Sequence, residues 1–328
     1  MAEEVTCSII VPERNGADQH RRHLSAVVAW ARKGGRAVET ILVDDGSDDG
    51  GEAARSSARE AGPSCRFVGL DRSRGFAGAC NAGACAARGR LLFFLNSDMH
   101  PDQGDLAALA NELEKDERFF AVAPAIFNLR ESFFEGDLRV RIRHGAFDVL
   151  QPGRKETPPA RTTRRTAYAC GGALLVRADR FRELGGFSTI YSPFYWEDAD
   201  ICWRARRRGW DCAEAGTVSM LHDHAQTIGS LYAPAEIAAI YERNRLLFTW
   251  LHLGGTAAWA AHLAWIPLRW GAAAIRRDPS LRGFAAALRR APAAIRLRRA
   301  LVETRAAARR LTDEVRRAGA AGWPRQEP

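Results

Sequence analysis

The chain has 328 residues, 46% of them hydrophobic, and carries a formal net charge of +9. Such a composition excludes a disordered polymer and leaves room for about two packed domains. Its seven cysteines (Cys7, Cys65, Cys80, Cys85, Cys170, Cys202 and Cys212) are odd in number and include no C-x-x-C pair, which excludes a disulfide framework and a zinc cluster.

Met1-Ala2-Glu3-Glu4-Val5 has neither the basic nor the apolar stretch of a secretory signal, so residence in the cytoplasm is the expectation. Val5–Val11 (VTCSIIV) reads as a buried strand, and Gln19–Lys33 as a helix with Leu24, Val27, Val28 and Ala31 on one face. Val38–Val43 is a second strand that runs into the turn Asp44-Asp45-Gly46-Ser47. Gly51–Ala61 is helical, Cys65–Leu70 a strand, Gly75–Arg88 a helix of small residues and Leu91–Leu95 (LLFFL) a fourth strand. Strands alternating with helices at this spacing predict an α/β fold with a mostly parallel, helix-covered sheet. Ligands bind such sheets at the carboxyl ends of the strands. Three polar clusters fall there: Pro12-Glu13-Arg14-Asn15, Asp44-Asp45 and Asn96-Ser97-Asp98.

Residues 128–166 are polar and rich in Arg and Pro, as expected of a long binding loop or lid. Ala167–Val176 is apolar and interrupted by Gly171 and Gly172. Arg177–Leu184 is a short helix stopped by Gly185-Gly186, Glu197–Arg208 is a helix, and Cys212–Ala215 and Val218–His222 are strand-like pieces. Leu246–Leu268 has no Lys, Arg, Asp or Glu over a length that could cross a bilayer. Its His252, Gly254, Gly255, His262 and Pro267 instead favour helices packed on the core or lying in the membrane interface. Residues 269–328 hold fifteen arginines against five acids, which leaves residues 1–268 near −1. In that tail Leu281, Phe284, Leu288, Ala291 and Ile295 recur at helical spacing. Leu297, Leu301, Thr304, Ala308, Leu311 and Val315 then step by four and three. Such helices can lie on an anionic membrane with arginines on phosphates. The same stepping fits a seam against the catalytic unit or a second subunit, hence a homo-oligomer.

Six segments occur in order: CSIIVPERN (7–15), ILVDDGS (41–47), RGFAGACNAG (74–83), LFFLNSDMHP (92–101), ACGGALLVRADRFRELGGF (169–187) and YWEDADICWR (195–204). Together they resemble the inverting family 2 glycosyltransferases, most of all bacterial members that build rhamnose-containing or related surface polysaccharides. The resemblance covers about residues 5–250 and implies a GT-A fold. It implies a catalytic unit over 1–230, with a nucleotide-sugar half to about residue 100 and an acceptor half beyond it. An apolar helical segment over 231–268 and the Arg-rich tail over 269–328 follow.

The chemistry agrees with that likeness. Transfer from a UDP- or dTDP-linked sugar needs a base pocket, a cation for the diphosphate and a general base for the acceptor hydroxyl. The resemblance gives Asp45 to a pyrimidine base, and Pro12, Glu13, Asn15, Gly75, Phe76, Asn81, Asn96 and Ser97 to the nucleotide sugar. Asp44 reads equally well as a turn former. Asn96-Ser97-Asp98 stands where the family has a D-x-D metal motif, so Asp98 is the expected ligand of Mn2+ or Mg2+, with Asn96 as a neutral substitute. Glu197-Asp198-Ala199-Asp200 matches the family's E-D-x-D signature. Asp198 matches the catalytic base, and Asp200 reads as an acid on a helix N-terminus. Gly171, Gly172, Trp196 and Glu197 are assigned to the acceptor, a saccharide or lipid-linked glycan, and Trp196 reads as a sugar-stacking wall or a core residue. His222 ends the apolar run VSMLH and is the second expected metal ligand, with His224 on the same side as the alternative.

A sugar nucleotidyltransferase would need a Gly- and Lys-rich first loop, and IIVPERNGAD contains no Lys. A degenerate, non-catalytic membrane-surface binder would have no need to keep Asp45, Asp98, Asp198 and His222 together. No helix-turn-helix, RRM or zinc-finger pattern points to nucleic acid. The expected location is the inner face of the plasma membrane, as a peripheral protein held by the tail.

Overall fold

The computed structural model describes residues 5–136, 138–150, 161–223 and 226–320. Its first half is the alternation expected: β1 (Cys7–Glu13), α1 (Ala17–Arg32), β2 (Val38–Asp44), α2 (Glu52–Glu60), β3 (Cys65–Gly69), α3 (Gly75–Ala86) and β4 (Leu91–Leu95). There follow β5 (Met99–Gln103), α4 (Leu106–Glu114), β6 (Phe119–Asn128), β7 (Phe133–Glu135), β8 (Arg139–Arg143), β9 (Ala146–Leu150) and β10 (Thr163–Thr166). The chain continues through β11 (Ala173–Arg177), α5 (Ala178–Glu183), α6 (Glu197–Arg207), β12 (Asp211–His222), α7 (Gln226–Leu231), α8 (Pro234–His252), α9 (Thr256–Ile275) and α10 (Ser280–Ala320).

One ten-stranded sheet organises these elements, in the order β10-β12-β6-β11-β4-β1-β2-β3, with β5 on β12 and β7 on β6. The ladders β3-β2-β1-β4 and β6-β12 are parallel, while β11 runs antiparallel between β4 and β6. Central strands bury both faces, which is why they read as unbroken apolar runs. Ile9, Val11 and Phe93 face α1, α2 and α4 through Leu24, Val27, Trp30, Ala54 and Leu109. Ile10, Val43 and Phe94 face α3, α5 and α6 through Ala77, Phe181 and Ile201. Each such fully buried side chain stabilises the fold by about 1.5–3 kcal/mol.

Three expectations need correction. Residues 128–166 are not one irregular loop, for β7, the β8–β9 hairpin and β10 lie in them. The two strand pieces near 212–222 are one strand whose register shifts between Ala215 and Ser219. The apolar stretch Leu246–Leu268, read as a single segment with 231–245, falls into two helices, since Gly254-Gly255 separates α8 from α9; as the glycines and Pro267 led one to expect, no helix among the described residues is long and apolar enough to cross a membrane.

The tail does not present the stripe read from its sequence. In α10 it is Gly283, Ala287 and Ala294 that are buried against α8 and its neighbours, with Leu281, Phe284 and Leu297 partly buried beside them. Leu288 and Ile295 are 50% and 51% exposed. Arg290 donates to the carbonyls of Ile190 and Ser192, and Arg298 to those of Trp250, Leu251 and Leu253. The first half of the tail is therefore packed on the catalytic unit. The side chains of Thr304, Ala308, Leu311 and Val315 lie outside those described.

Candidate active site

A cleft of about 180 Å³ opens at the carboxyl ends of β1, β2 and β4. Pro12, Glu13, Arg14, Asp45, Ser73, Gly75, Phe76, Asn96, Ser97, Asp98, Tyr195 and His222 contribute to its wall, and Ile228, Leu231 and Tyr232 close it from α7. The polar clusters at three strand ends thus meet in one place. His224 lies outside the described residues.

Asp45 organises the entry to α3. It accepts from the Ser73 hydroxyl at 2.7 Å, from Arg74 N at 2.7 Å and from Gly75 N at 2.9 Å. Phe76 N donates to Pro193 O at 2.8 Å. The first amides of α3 are thus already occupied within the protein. Gly75 is needed here: its φ is +74°, and a Cβ would stand 2.7 Å from Pro193 O. Glu13 is buried, and burial together with the adjoining Asp44 carboxyl pushes its pKa up to about 8. It accepts from Gly16 N at 3.0 Å.

Asn15 and Asn81 are also busy elsewhere. The Asn15 amide exchanges 2.9 Å bonds with Asp48, tying the β1–α1 loop to the β2–α2 loop. Asn81 clamps Phe187 through both ends of its amide, at 2.8 and 2.9 Å. Both amides hold loops, and neither side chain is part of the cleft wall.

At the end of β4, Asn96 Oδ1 and Asp98 Oδ1 are buried and have no hydrogen-bond partner. His222 Nε2 lies 3.5 Å from Asp98 Oδ1, while its Nδ1 faces Glu135 at 3.2 Å. Burial works against a charged ring, but the Asp98 and Glu135 carboxylates outweigh it and raise the His222 pKa to about 9. An unbonded Asn96 oxygen and the Asp98 carboxylate beside His222 fit a divalent cation, which would take the place of the ring proton between Asp98 and His222. Among the described residues no three His, Cys, Asp or Glu cluster as a complete metal site. Oxygens from a bound ligand would have to complete the coordination shell.

Asp198 opens α6, and its carboxylate is fixed at both ends. Gly171 N donates to Oδ2 at 2.9 Å and Ala199 N to Oδ1 at 2.7 Å. Gly171 is small by necessity, since a Cβ would come within 2.9 Å of Asp198 Cβ. The next carbonyl, Gly172 O, accepts from Asn96 N at 2.9 Å, so the Gly171-Gly172 strap connects Asp198 to the Asn96–Asp98 motif. Burial raises the Asp198 pKa, while the Gly171 and Ala199 amides oppose that shift. Beside it Glu197 is buried with Oε2 unpartnered, and burial and the Asp198 charge push its pKa to about 8. Burial and the neighbouring charge thus favour the neutral form of Glu197, whereas the Gly171 and Ala199 amides favour the Asp198 carboxylate.

Asp200 is structural. It accepts from Tyr191 OH at 3.1 Å, Arg204 Nε at 2.7 Å and His252 Nε2 at 2.6 Å. Burial opposes its ionisation, but Arg204 and His252 hold its pKa down at about 2. Trp196 is 3% exposed and packs on Tyr241 and Phe248, so it belongs to the core and is not a sugar-stacking wall. The aromatic side chains lining the cleft are Phe76, Phe194, Tyr195 and Tyr232.

Tyr195 and Trp196 have φ of +71° and +80°, a strained pair directly before Glu197. Such residues cost about 1–3 kcal/mol each and persist only when their surroundings dictate them. Asn244 supplies that constraint. Its amide donates to the carbonyls of Tyr191, Phe194 and Tyr195 at 2.6–2.9 Å. Arg243 and Arg290 bond the same loop from α8 and α10. Asn244, Glu135, Arg14 and Tyr195 had no assigned role in the sequence. Only Arg14 carried a signal, as the one cation in the cluster after β1, and its Nε is buried and unpartnered.

The family model for glycosyl transferase family 2 matches residues 8–185. A pre-mycofactocin glycosyltransferase of Mycobacterium tuberculosis is 30% identical over 222 residues, covering 66% of this chain but only 42% of the relative. An N-acetylglucosaminyl-diphospho-decaprenol L-rhamnosyltransferase of the same organism is 27% identical over 253 residues, 70% of this chain and 80% of the relative. Among solved structures, GalNAc-T7 with UDP, GalNAc and Mn2+ superposes with a TM-score of 0.57 at 17% identity, over 76% of this chain and 48% of that one. That likeness carries the GT-A fold.

Proposed function

The chain belongs to glycosyl transferase family 2, and we propose that it moves a sugar from a UDP- or dTDP-linked donor to a hydroxyl of a saccharide or lipid-linked glycan with inversion. One observation carries the reading. The cleft at the strand ends joins Asp45 to the Asn96 oxygen and the Asp98 carboxylate, with His222 beside them, and a glycine strap ties this motif to a doubly anchored Asp198.

In this reading the base of the donor lies against Asp45, and its diphosphate lies beside Asp98 and the Arg14 guanidinium. Asp98, Asn96 and His222 would hold Mn2+ or Mg2+, whose charge offsets that of the departing diphosphate. Asp198 takes the proton of the acceptor hydroxyl. The acceptor oxygen attacks the anomeric carbon, the bond from that carbon to the diphosphate oxygen breaks, and the nucleoside diphosphate leaves. A single displacement needs no enzymic nucleophile, which suits a site whose second carboxyl, Glu197, is held neutral. Tyr195 and Phe76 shield the reacting centre from water. The relative acting on a decaprenol-linked sugar favours a lipid-linked acceptor, and hence a place at the inner membrane face.

The test is a thermal-shift and donor-consumption screen of UDP-, dTDP- and GDP-sugars with and without Mn2+. One uridine or thymidine donor should raise the melting temperature and be slowly hydrolysed, in both cases only with metal, and Asp98→Ala should abolish both effects. If no nucleotide sugar is bound or consumed with Mn2+ present, the reading fails.

A further inference from the structure

Helix α9 is built the wrong way round for a helix surrounded by water. Of its 20 residues only His262, Trp270 and Ala273 are buried. These three lie on one side, where Trp250 Nε1 donates to His262 at 2.9 Å and Trp270 stacks on Phe284 at 4.4 Å. Arg269 lies toward that side as well and bonds Glu242 at 3.2 Å. At 100° per residue the opposite side gathers Ala257, Ala260, Leu263, Ala264, Pro267, Leu268, Gly271, Ala274 and Ile275, with Trp265 at its edge. Leu263, Trp265, Leu268 and Ile275 are 60%, 41%, 62% and 86% exposed. Among described residues, Thr256 is the single polar residue on that face. A surface helix ordinarily turns its polar face outward, and a contiguous apolar patch of this kind marks an interaction site.

Charge identifies the occupant. From residue 256 to residue 302 the only acid is Asp278, against nine arginines. Arg269, Arg290 and Arg298 are engaged within the protein, while Arg276, Arg277, Arg282, Arg289, Arg296 and Arg299 are exposed. An apolar face next to a purely basic segment matches an anionic lipid surface, where apolar residues enter the acyl boundary and arginines meet phosphates. Trp265, half exposed at the edge of the face, is the residue type that settles at that boundary. Six exposed arginines against the single acid Asp278 beside the apolar face are the charge balance that an anionic surface complements.

We propose that the outward face of α9 lies in the plane of an anionic bilayer and anchors the protein there, flat and without spanning. The anchor is thus α9, and not the stripe Leu281–Ile295, part of which packs inward. The inference stands apart from the transfer reading, because vesicle binding is measured without donor or acceptor.

The experiment uses the full chain with vesicles of phosphatidylglycerol and phosphatidylcholine, or of phosphatidylcholine alone. The protein should pellet with the anionic vesicles and be released by salt. The variant Leu263→Asp/Leu268→Asp/Ile275→Asp should bind at least tenfold more weakly with an unchanged melting temperature, since all three positions face outward. Brominated acyl chains should quench wild-type fluorescence, and Trp265→Phe should remove most of the quenching, a readout that leaves the apolar face intact. Equal pelleting of the triple variant, or no quenching at Trp265, overturns the proposal. So does a wild-type dimer that the triple variant converts to monomer while neither binds vesicles, which would make α9 a contact between two copies.

Discussion

Gly171→Ala tests the geometry of the base without touching the base itself. The new Cβ would stand 2.9 Å from Asp198 Cβ and 3.2 Å from its Oδ2. Carbon atoms in ordinary contact sit about 3.5–4.0 Å apart, so roughly 1 Å must be found. Asp198 Oδ1 is tied to Ala199 N at 2.7 Å and Gly172 O to Asn96 N at 2.9 Å, so neither side can yield without disturbing a catalytic group. A misplacement of about 1 Å can cost about 10²-fold in rate, and the loss is bounded by the 10²–10⁴-fold worth of a general base. The expected result is a fall in kcat of about 10²-fold with donor binding unchanged, because Asp45 and Asp98 are not displaced. Overpacking of this size costs about 1–3 kcal/mol of stability, visible as a modest drop in melting temperature. Steady-state release of nucleoside diphosphate, with donor affinity from thermal shift, measures both. Gly172→Ala serves as the contrast: its nearest neighbour would be Asn96 Nδ2 at 3.4 Å, and its loss should be much smaller. A folded Gly171→Ala enzyme that keeps a third or more of wild-type kcat would refute the claim that this strap positions the base.

Asp198→Asn should retain donor binding and lose about 10²–10⁴-fold in transfer, and a variant with more than a tenth of wild-type kcat would move the base elsewhere. For Glu197 the folded pKa of about 8 lies above the unfolded 4.5, so its contribution to stability is full below pH 4.5 and is lost as the pH rises through 8. Glu197→Gln should therefore match wild type in melting temperature near pH 5 and exceed it near pH 9; equal curves at both would show that the carboxyl is not held neutral. Asn244→Ala leaves the Phe194 and Tyr195 carbonyls without their Asn244 partner, while Tyr191 O keeps Arg243, and should lower stability by a few kcal/mol. It should lower kcat more than donor affinity, and an unchanged kcat would detach the Tyr195–Trp196 strain from catalysis.

The parallel half of the sheet was legible because its strands are buried on both faces, so LLFFL and VETILV could be little else, and their polar ends mark the ligand edge. Elsewhere the same rules misled for physical reasons. β8 alternates Arg139, Arg141 and Arg143 with Val140 and Ile142 and is largely exposed, so its charges concealed a strand. Motif membership did not separate ligands from scaffold, because an amide that suits a nucleotide also suits a backbone. Asn15 and Asn81 spend theirs on Asp48 and Phe187. Asp200 is set apart from Asp198 in the sequence as an acid on a helix N-terminus, yet Asp198 shares that first turn, and what makes Asp200 structural is its bonding to Tyr191, Arg204 and His252. Glu135 and Asn244 act across 87 and about 50 positions of sequence, and no local pattern announces such contacts.

The tail shows what periodicity alone leaves open. Stepping by three and four established that α10 has a face to bury, and large apolar residues were taken to define it. Close helix crossing selects the opposite kind of residue, because the distance between axes depends on the side chains at the contact. Gly283 meets α8 so tightly that a Cβ would stand 2.4 Å from Ala239 O, and Ala287 and Ala294 continue that seam one and three turns on. With the small residues inward, Leu288 and Ile295 are turned out among Arg289, Arg296 and Arg299. Arg290 and Arg298, on the inner side, then become ties to carbonyls of the active-site loop and of the end of α8 instead of solvated charge. Part of the basic character that reads as a free tail is in this way internal: Arg290 braces the loop before Glu197 and Arg298 the end of α8. The helices after residue 230 therefore belong to the site as much as to any surface the protein rests on.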